Sequence, residues 1–155
     1  MTSDLKPLIL GRREWVALPD LGLFALKAKV DTGARTSALH AEAVETFGSA
    51  SAPRARFLVR PLLEEPDLAV WCEADLLGER DVTSSSGERE CRCIITTTLS
   101  VGGRSWPIEL GRTNREGLAH RMLRGRQAIQ PGMLVDPAHS FLLPKLSTRR
   151  YRAPA

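Results

Sequence analysis

The chain has 155 residues, 43% hydrophobic and 26% charged, with a net charge of +4, enough for one compact domain and too short for two comfortable ones. It contains no run of 18 apolar residues, so no membrane-spanning helix is expected. Aromatics are only 5%, and no surface of alternating aromatic and basic residues is visible, which argues against a single-stranded nucleic-acid binder. The N-terminus, Met1 to Lys6, lacks a charged segment followed by an apolar one, so no signal peptide is read. All the basic residues except Lys6, Lys27, Lys29 and Lys145 are arginine. One account of that excess is codon bias. The other is recognition of carboxylate or phosphate, which the guanidinium fork meets two bonds at a time.

Most segments read as short strands. Glu14–Leu18, a Pro19–Gly22 turn and Leu23–Val30 make a first hairpin. In its second strand Leu26, Ala28 and Val30 share one face, while Lys27, Lys29 and Asp31 share the other. Thr36–Val44 suits helix or strand equally. Gly48–Pro53 is a small-residue loop, followed by strands at Arg56–Leu62, Ala69–Ala74 and Arg80–Thr83. Ser84–Gly87 is a polar turn leading to a β-branched run, Glu90–Val101. Gly102-Gly103 then turns the chain into Arg104–Leu110, a second hairpin. Arg121–Leu123 is a short strand before Gly125-Arg126. A helical turn at Gln127–Gln130, Pro131-Gly132, and strands at Met133–Val135 and Ser140–Leu143 complete the domain. The basic residues after Lys145 suggest a disordered tail. Short strands with regular turn signals and little helix describe a small all-β barrel or sandwich.

The most informative stretch is Lys29-Val30-Asp31-Thr32-Gly33-Ala34, where an alternating strand runs into an Asp-Thr-Gly turn. Asp followed by Gly also marks ordinary turns. Two observations lift this one above that reading: the strand before it is clean, and Met122-Leu123-Arg124-Gly125 near the C-terminus forms an apolar strand ending in glycine. Only one such motif is present, whereas acid-protease chemistry needs two carboxylates.

In these residues the chain resembles the retropepsin-like peptidases labelled ATP-dependent zinc proteases, which are associated with RimK-type ATP-grasp glutamate ligases. The matching blocks are Arg13-Glu14-Trp15-Val16, Ala28 to Ala41 around Asp31, Ser84 to Arg89, Gly103-Arg104 with Trp106 to Leu110, and Val135-Asp136-Pro137. They run in order from about residue 11 to 145. Arg124 departs from the pattern, which has an apolar residue there. The resemblance implies a closed acid-protease barrel over residues 11–145, with an N-terminal extension at 1–10 and a basic tail at 146–155. Asp31 would be the catalytic carboxylate, Thr32 the hydrogen-bonded support beneath it, and Gly33 the point of close backbone approach. The dyad would pair Asp31 with its twin in a homodimer. Ala34, Arg35, Ser84, Ser85, Ser86 and Arg89 would contact substrate, a peptide or protein with an acidic, glutamate-rich tail. Ser84–Gly87 would form a flap over the cleft, although a plain polar turn reads the same. A second acid from the same chain, Asp136 or Glu116, has no support in the pattern.

The zinc and ATP parts of that label find no motif. There is no His-Glu-x-x-His and no phosphate-binding Gly-x-x-x-x-Gly-Lys loop. His40, His120 and His139 are scattered, and Cys91-Arg92-Cys93 lacks the two-residue spacer of zinc knuckles. A zinc site built from Cys72, Cys91 and Cys93 is the alternative to three structural thiols. His40 either lines the cleft or is a structural histidine. No Gly-x-Ser-x-Gly elbow surrounds the serines, so a serine nucleophile is rejected. The resulting expectation is a cytoplasmic, homodimeric aspartic peptidase with reduced cysteines and no cofactor, no bound metal, no nucleic acid and no membrane. Its rivals are a non-catalytic barrel that binds glutamylated protein and, more remotely, a metallopeptidase.

Overall fold

Period-two alternation of buried and exposed residues, read from the sequence as strands, is realised in strands such as Ala52–Val59. The computed structural model describes residues 7–31, 37–83, 87, 89–113, 122–125 and 129–152, with backbone alone at 31, 80–83, 89–92, 112–113, 122–125 and 152. Its strands are β1 (Leu8–Gly11), β2 (Arg13–Leu18), β3 (Leu23–Asp31), β4 (Ser37–His40), β5 (Glu42–Ser49), β6 (Ala52–Val59), β7 (Val70–Thr83), β8 (Arg89–Val101), β9 (Arg104–Thr113), β10 (Met122–Gly125) and β11 (Met133–Asp136). Short 3-10 turns at Pro19–Leu21 and Arg149–Arg152 are the only helical pieces among the described residues.

Nine strands form one sheet in the order β2-β3-β10-β4-β9-β8-β7-β6-β5. It curls until Ala17 of β2 meets Ser100 of β8, so six strands wrap around Leu18, Leu23, Leu26, Leu39, Leu99 and Leu110. β1 and β11 stand apart as a parallel pair, Leu8 to Gly11 alongside Met133 to Asp136. The all-β expectation holds. The decisive feature is β10, which slots between β3 and β4, parallel to the first and antiparallel to the second.

The β8–β9 hairpin turns at Gly102 and Gly103, as expected. Their φ angles of 58° and 82° suit the type I′ turn that fits the right-handed twist of the strands and that glycine adopts without strain. Thr36–Val44 resolves into strand rather than helix from Ser37 onward. The loop expected at Gly48–Pro53 shrinks to a two-residue hairpin turn between Ser49 and Ala52. The separate strands at Ala69–Ala74 and Arg80–Thr83 are one long β7, with a register shift between Leu76 and Gly78. Of the helical turn expected at Gln127–Gln130, residues 127 and 128 lie outside the described residues.

Three further differences concern the ends of the domain. Residues 8–10, assigned to an N-terminal extension, belong to the fold, since β1 pairs with β11 and Leu10 is fully buried. Ser140–Leu143 is not a strand: its amides find partners in Arg13 O and in the carboxylate of Glu14 rather than in a ladder. The expected disordered tail is docked through residue 152. Between Val16 and Leu18 the β2–β3 register shifts, and the backbone of buried Ala25 has no register partner in that ladder. The Tyr151 hydroxyl satisfies both groups, accepting from Ala25 N at 2.9 Å and donating to Ala25 O at 2.6 Å. Tyr151, Leu146, Leu62 and Leu68 cover Trp15 on the outer face of β2–β3, and Lys27 and Lys145 place their ammonium groups 5.3 and 5.8 Å from the Trp15 ring. A strand buried on both faces loses its plain alternation.

Candidate active site

Asp31 is the last residue of β3. Leu26, Ala28 and Val30 are buried along that strand, while Lys29 is exposed, which is the alternation expected. The strand end is held on both sides by backbone. On one side the Val30 amide donates to Arg12 O at 2.8 Å. On the other, β10 runs parallel, with Met122 beside Ala28, Leu123 beside Lys29, Arg124 beside Val30 and Gly125 beside Asp31. Met122 and Leu123 also pair with Leu39 and Ala38 of β4, so β10 bridges the strand entering the Asp31 loop and the strand leaving it.

Thr32, Gly33, Ala34 and Arg35 lie outside the described residues, as do Ser84, Ser85 and Ser86. Thr83 pairs with Arg89 and Val82 with Glu90, so Arg89 opens β8 opposite the end of β7. Glu116 is also outside. Asp136 closes β11, beside Gly11, and its oxygens accept from Ala138 N at 2.9 Å and meet His139 Nδ1 at 2.8 Å. Those contacts hold its carboxyl below the usual range, the Ala138 amide first and His139 second.

His40 lies away from the acid. Leu39 and Ala28 share Met122 as partner, so His40 sits about four residues, roughly 13 Å, down the sheet from Asp31. It is buried, with Nε2 3.6 Å from Glu42 Oε1, and fits the structural reading. The three-cysteine alternative fails on register. Cys93 pairs with Glu79 on β7, seven residues from Cys72 on that strand and roughly 23 Å away. Among the described residues no group of three His, Cys, Asp or Glu side chains is placed to hold a metal ion. Burial pushes the Cys72 thiol up to about 12, as befits a packed core thiol. Three of the arginines are engaged by carboxylates of the fold itself. Arg54 meets Asp75 at 2.6 Å and Arg56 meets Glu73 at 3.9 Å in exposed pairs of small energetic weight, and Arg60 meets Glu42 at 3.3 Å in a part-buried one.

Two polar residues near the strand end lie in the blocks that carry the resemblance but have no assigned role in the sequence. Ser37 opens β4 and is buried. Glu14 is fully buried, accepting from Gly11 N at 2.8 Å and Leu142 N at 2.9 Å through Oε2, and from Leu143 N at 3.2 Å through Oε1. The available signal was a carboxylate inside an apolar strand, Glu14-Trp15-Val16, where solvent exposure is the exception.

A curled all-β sheet in which a strand delivers an acid at its end, backed by a parallel strand that stops on glycine, is a small retropepsin-like fold. The chain belongs to the RimB-like family, whose description is retropepsin-like aspartic endopeptidase RimB and whose family model matches residues 9–146. It is similar to proteins named probable alpha-L-glutamate ligase. The one from Shewanella pealeana is 41% identical over 141 residues, 91% of this chain and 31% of that protein. The one from Desulfotalea psychrophila is 37% identical over 147 residues, 95% of this chain and 32% of that protein. The one from Parasynechococcus marenigrum is 43% identical over 138 residues, 89% and 30%. The chain thus spans about a third of the length of the curated relatives it matches. A crystal structure of a Legionella pneumophila protein of unknown function superposes with a TM-score of 0.73 at 29% identity, covering 87% of this chain and 97% of that one.

Proposed function

We propose that this chain hydrolyses peptide bonds as an aspartic peptidase, with Asp31 paired to Asp31 of a second copy. The observation that carries this reading is Asp31 at the close of β3 in register with Gly125 of β10, in a chain of the retropepsin-like family. Two carboxylates about 3 Å apart share one proton, because both cannot ionise so close together. The ionised member takes a proton from the attacking water. The protonated member donates to the developing oxyanion and later passes its proton to the leaving nitrogen.

Support for a second copy comes from the terminal strand pair. Ile9 and Leu134 are register partners on its outer face, 48% and 56% exposed. Apolar side chains grouped on a small sheet suit burial against a symmetry mate. In the relatives a domain like this one is part of a protein named probable alpha-L-glutamate ligase. A peptidase acting on glutamate-rich tails would oppose such a ligase.

The test is cleavage of an oligoglutamate peptide by wild type and Asp31→Asn at equal folded concentration. Asp31→Asn is expected to retain the wild-type melting curve and lose cleavage by at least about 1,000-fold. Undiminished turnover removes the aspartyl mechanism. Wild-type binding of the peptide without cleavage favours a non-catalytic barrel that binds acidic or glutamylated protein.

A further inference from the structure

Glu14 is a fully buried carboxylate with no place in the hydrolytic scheme. A carboxylate withdrawn from water is tolerated when its lone pairs are taken up by strong donors, and here three backbone amides do so, from Gly11, Leu142 and Leu143. These amides come from the two ends of the domain. Gly11 ends β1, and Leu142 and Leu143 lie beyond β11. Between Gly11 and Glu14 the Arg12 peptide is held from both sides: its N–H donates to His139 O and its C=O accepts the Val30 amide, both at 2.8 Å. Arg12 Nε adds a bond to Ser140 Oγ at 3.0 Å, and Phe141 N bonds Arg13 O at 2.8 Å. The crossing is tight. A Cβ on Gly11 would lie 2.7 Å from His139 O and 2.9 Å from Ser140 Cα.

We infer that Glu14 is a positioning residue, which locks the two ends of the domain around Arg12 and thereby fixes the residue that precedes Asp31. Through it, the terminal strand pair β1–β11 and the strand end carrying the acid behave as one mechanical unit. Whatever covers Ile9 and Leu134 is then felt at Val30. The role assigned to Asp31 rests on the function proposed above, but the coupling itself does not need turnover to be observed.

Native-state hydrogen exchange on the whole chain tests it. In the wild-type protein the amides of Gly11, Val30, Leu142 and Leu143 are expected to open together, with one common protection factor. Glu14→Gln, whose amide nitrogen cannot accept, is expected to speed exchange at Val30 at least tenfold while leaving Leu99 of β8 unchanged. Tyr151→Phe serves as a control that weakens the fold elsewhere and leaves Val30 as protected, relative to Leu99, as in wild type. On an oligoglutamate peptide, Glu14→Gln is expected to lower kcat with KM unchanged. The inference is overturned if Val30 keeps its protection in Glu14→Gln, or if wild-type Val30 opens separately from Leu142 and Leu143. A wild-type protein without peptidase activity sinks the proposed function and leaves the exchange result to decide the coupling.

Discussion

Tyr151→Phe isolates the docking of the C-terminal segment in one oxygen atom. Phenylalanine keeps the ring and its contact with Phe24, whose centroid is 5.9 Å away, so packing changes little. What is lost is the hydroxyl that bonds both backbone groups of Ala25. That residue is fully buried and lies where the register shift leaves it without a β2 partner. Abandoning a buried donor or acceptor costs about 1–3 kcal/mol, and a net loss of about 2 kcal/mol is expected. For a domain of this size each kcal/mol moves Tm by about 2–4 °C, so the variant is expected to melt about 4–8 °C lower at neutral pH. The contrast has a pH signature. Burial, as the larger effect, raises the tyrosine pKa above its ordinary value of 10.0, against the lowering by the Ala25 and Phe24 backbone bonds. Stability from a group with a raised folded pKa is complete below the unfolded value and disappears as pH rises through the folded one. The gap between wild type and variant is therefore expected to hold up to about pH 10 and to narrow above it. Thermal melts by circular dichroism between pH 7 and 11 supply the data. Equal melting temperatures at pH 7 would show that the hydroxyl does not hold the tail.

Gly11→Ala is expected to destabilise by about 1–3 kcal/mol, because its new Cβ meets backbone rather than a yielding side chain; chemical denaturation measures it, and an unchanged midpoint contradicts the close crossing. Alkylation of the native protein at pH 8 is expected to modify Cys93, which is half-buried, at least about ten times faster than Cys72, whose thiol burial holds near 12. Equal rates by mass spectrometry count against the core assignment of Cys72. Asp136 is held below its ordinary 3.8 by the Ala138 amide and by His139. A depressed carboxyl pKa stabilises the fold above the unfolded value, and that contribution is lost as pH falls through the lower folded value. An NMR titration is expected to place the Asp136 midpoint under 3.8, and a midpoint above it removes the turn contacts.

Local pattern carried much of the reading. Leu26, Ala28 and Val30 alternate cleanly because β3 has one face on the core, and Gly102-Gly103 between β-branched runs left little choice but a hairpin. The Asp31 strand and its glycine-ended partner near residue 125 were legible as two pieces through family resemblance, since nothing local states that they touch. Other features were not legible at all. Glu14 reads as an ordinary strand residue until the remote amides of Leu142 and Leu143 join that of nearby Gly11 on its carboxylate. Ser140–Leu143 has the apolar content of a strand, but its amides are taken by a carboxylate. The basic tail has the composition of a disordered end, but Leu146 and Tyr151 pack on the Trp15 cluster and the Tyr151 hydroxyl bonds Ala25, 126 residues away.

Composition and period-two patterning by themselves determined the all-β class, the two glycine-turned hairpins and the strand that leads into Asp31, because each depends on near neighbours along the chain. Which strand lies beside Asp31, where the buried carboxylate finds its donors and whether the ends of the domain are held were decided only in three dimensions. Those contacts join segments more than ninety residues apart. Their formation depends on the whole sheet curling far enough to bring both ends of the domain to the same strand.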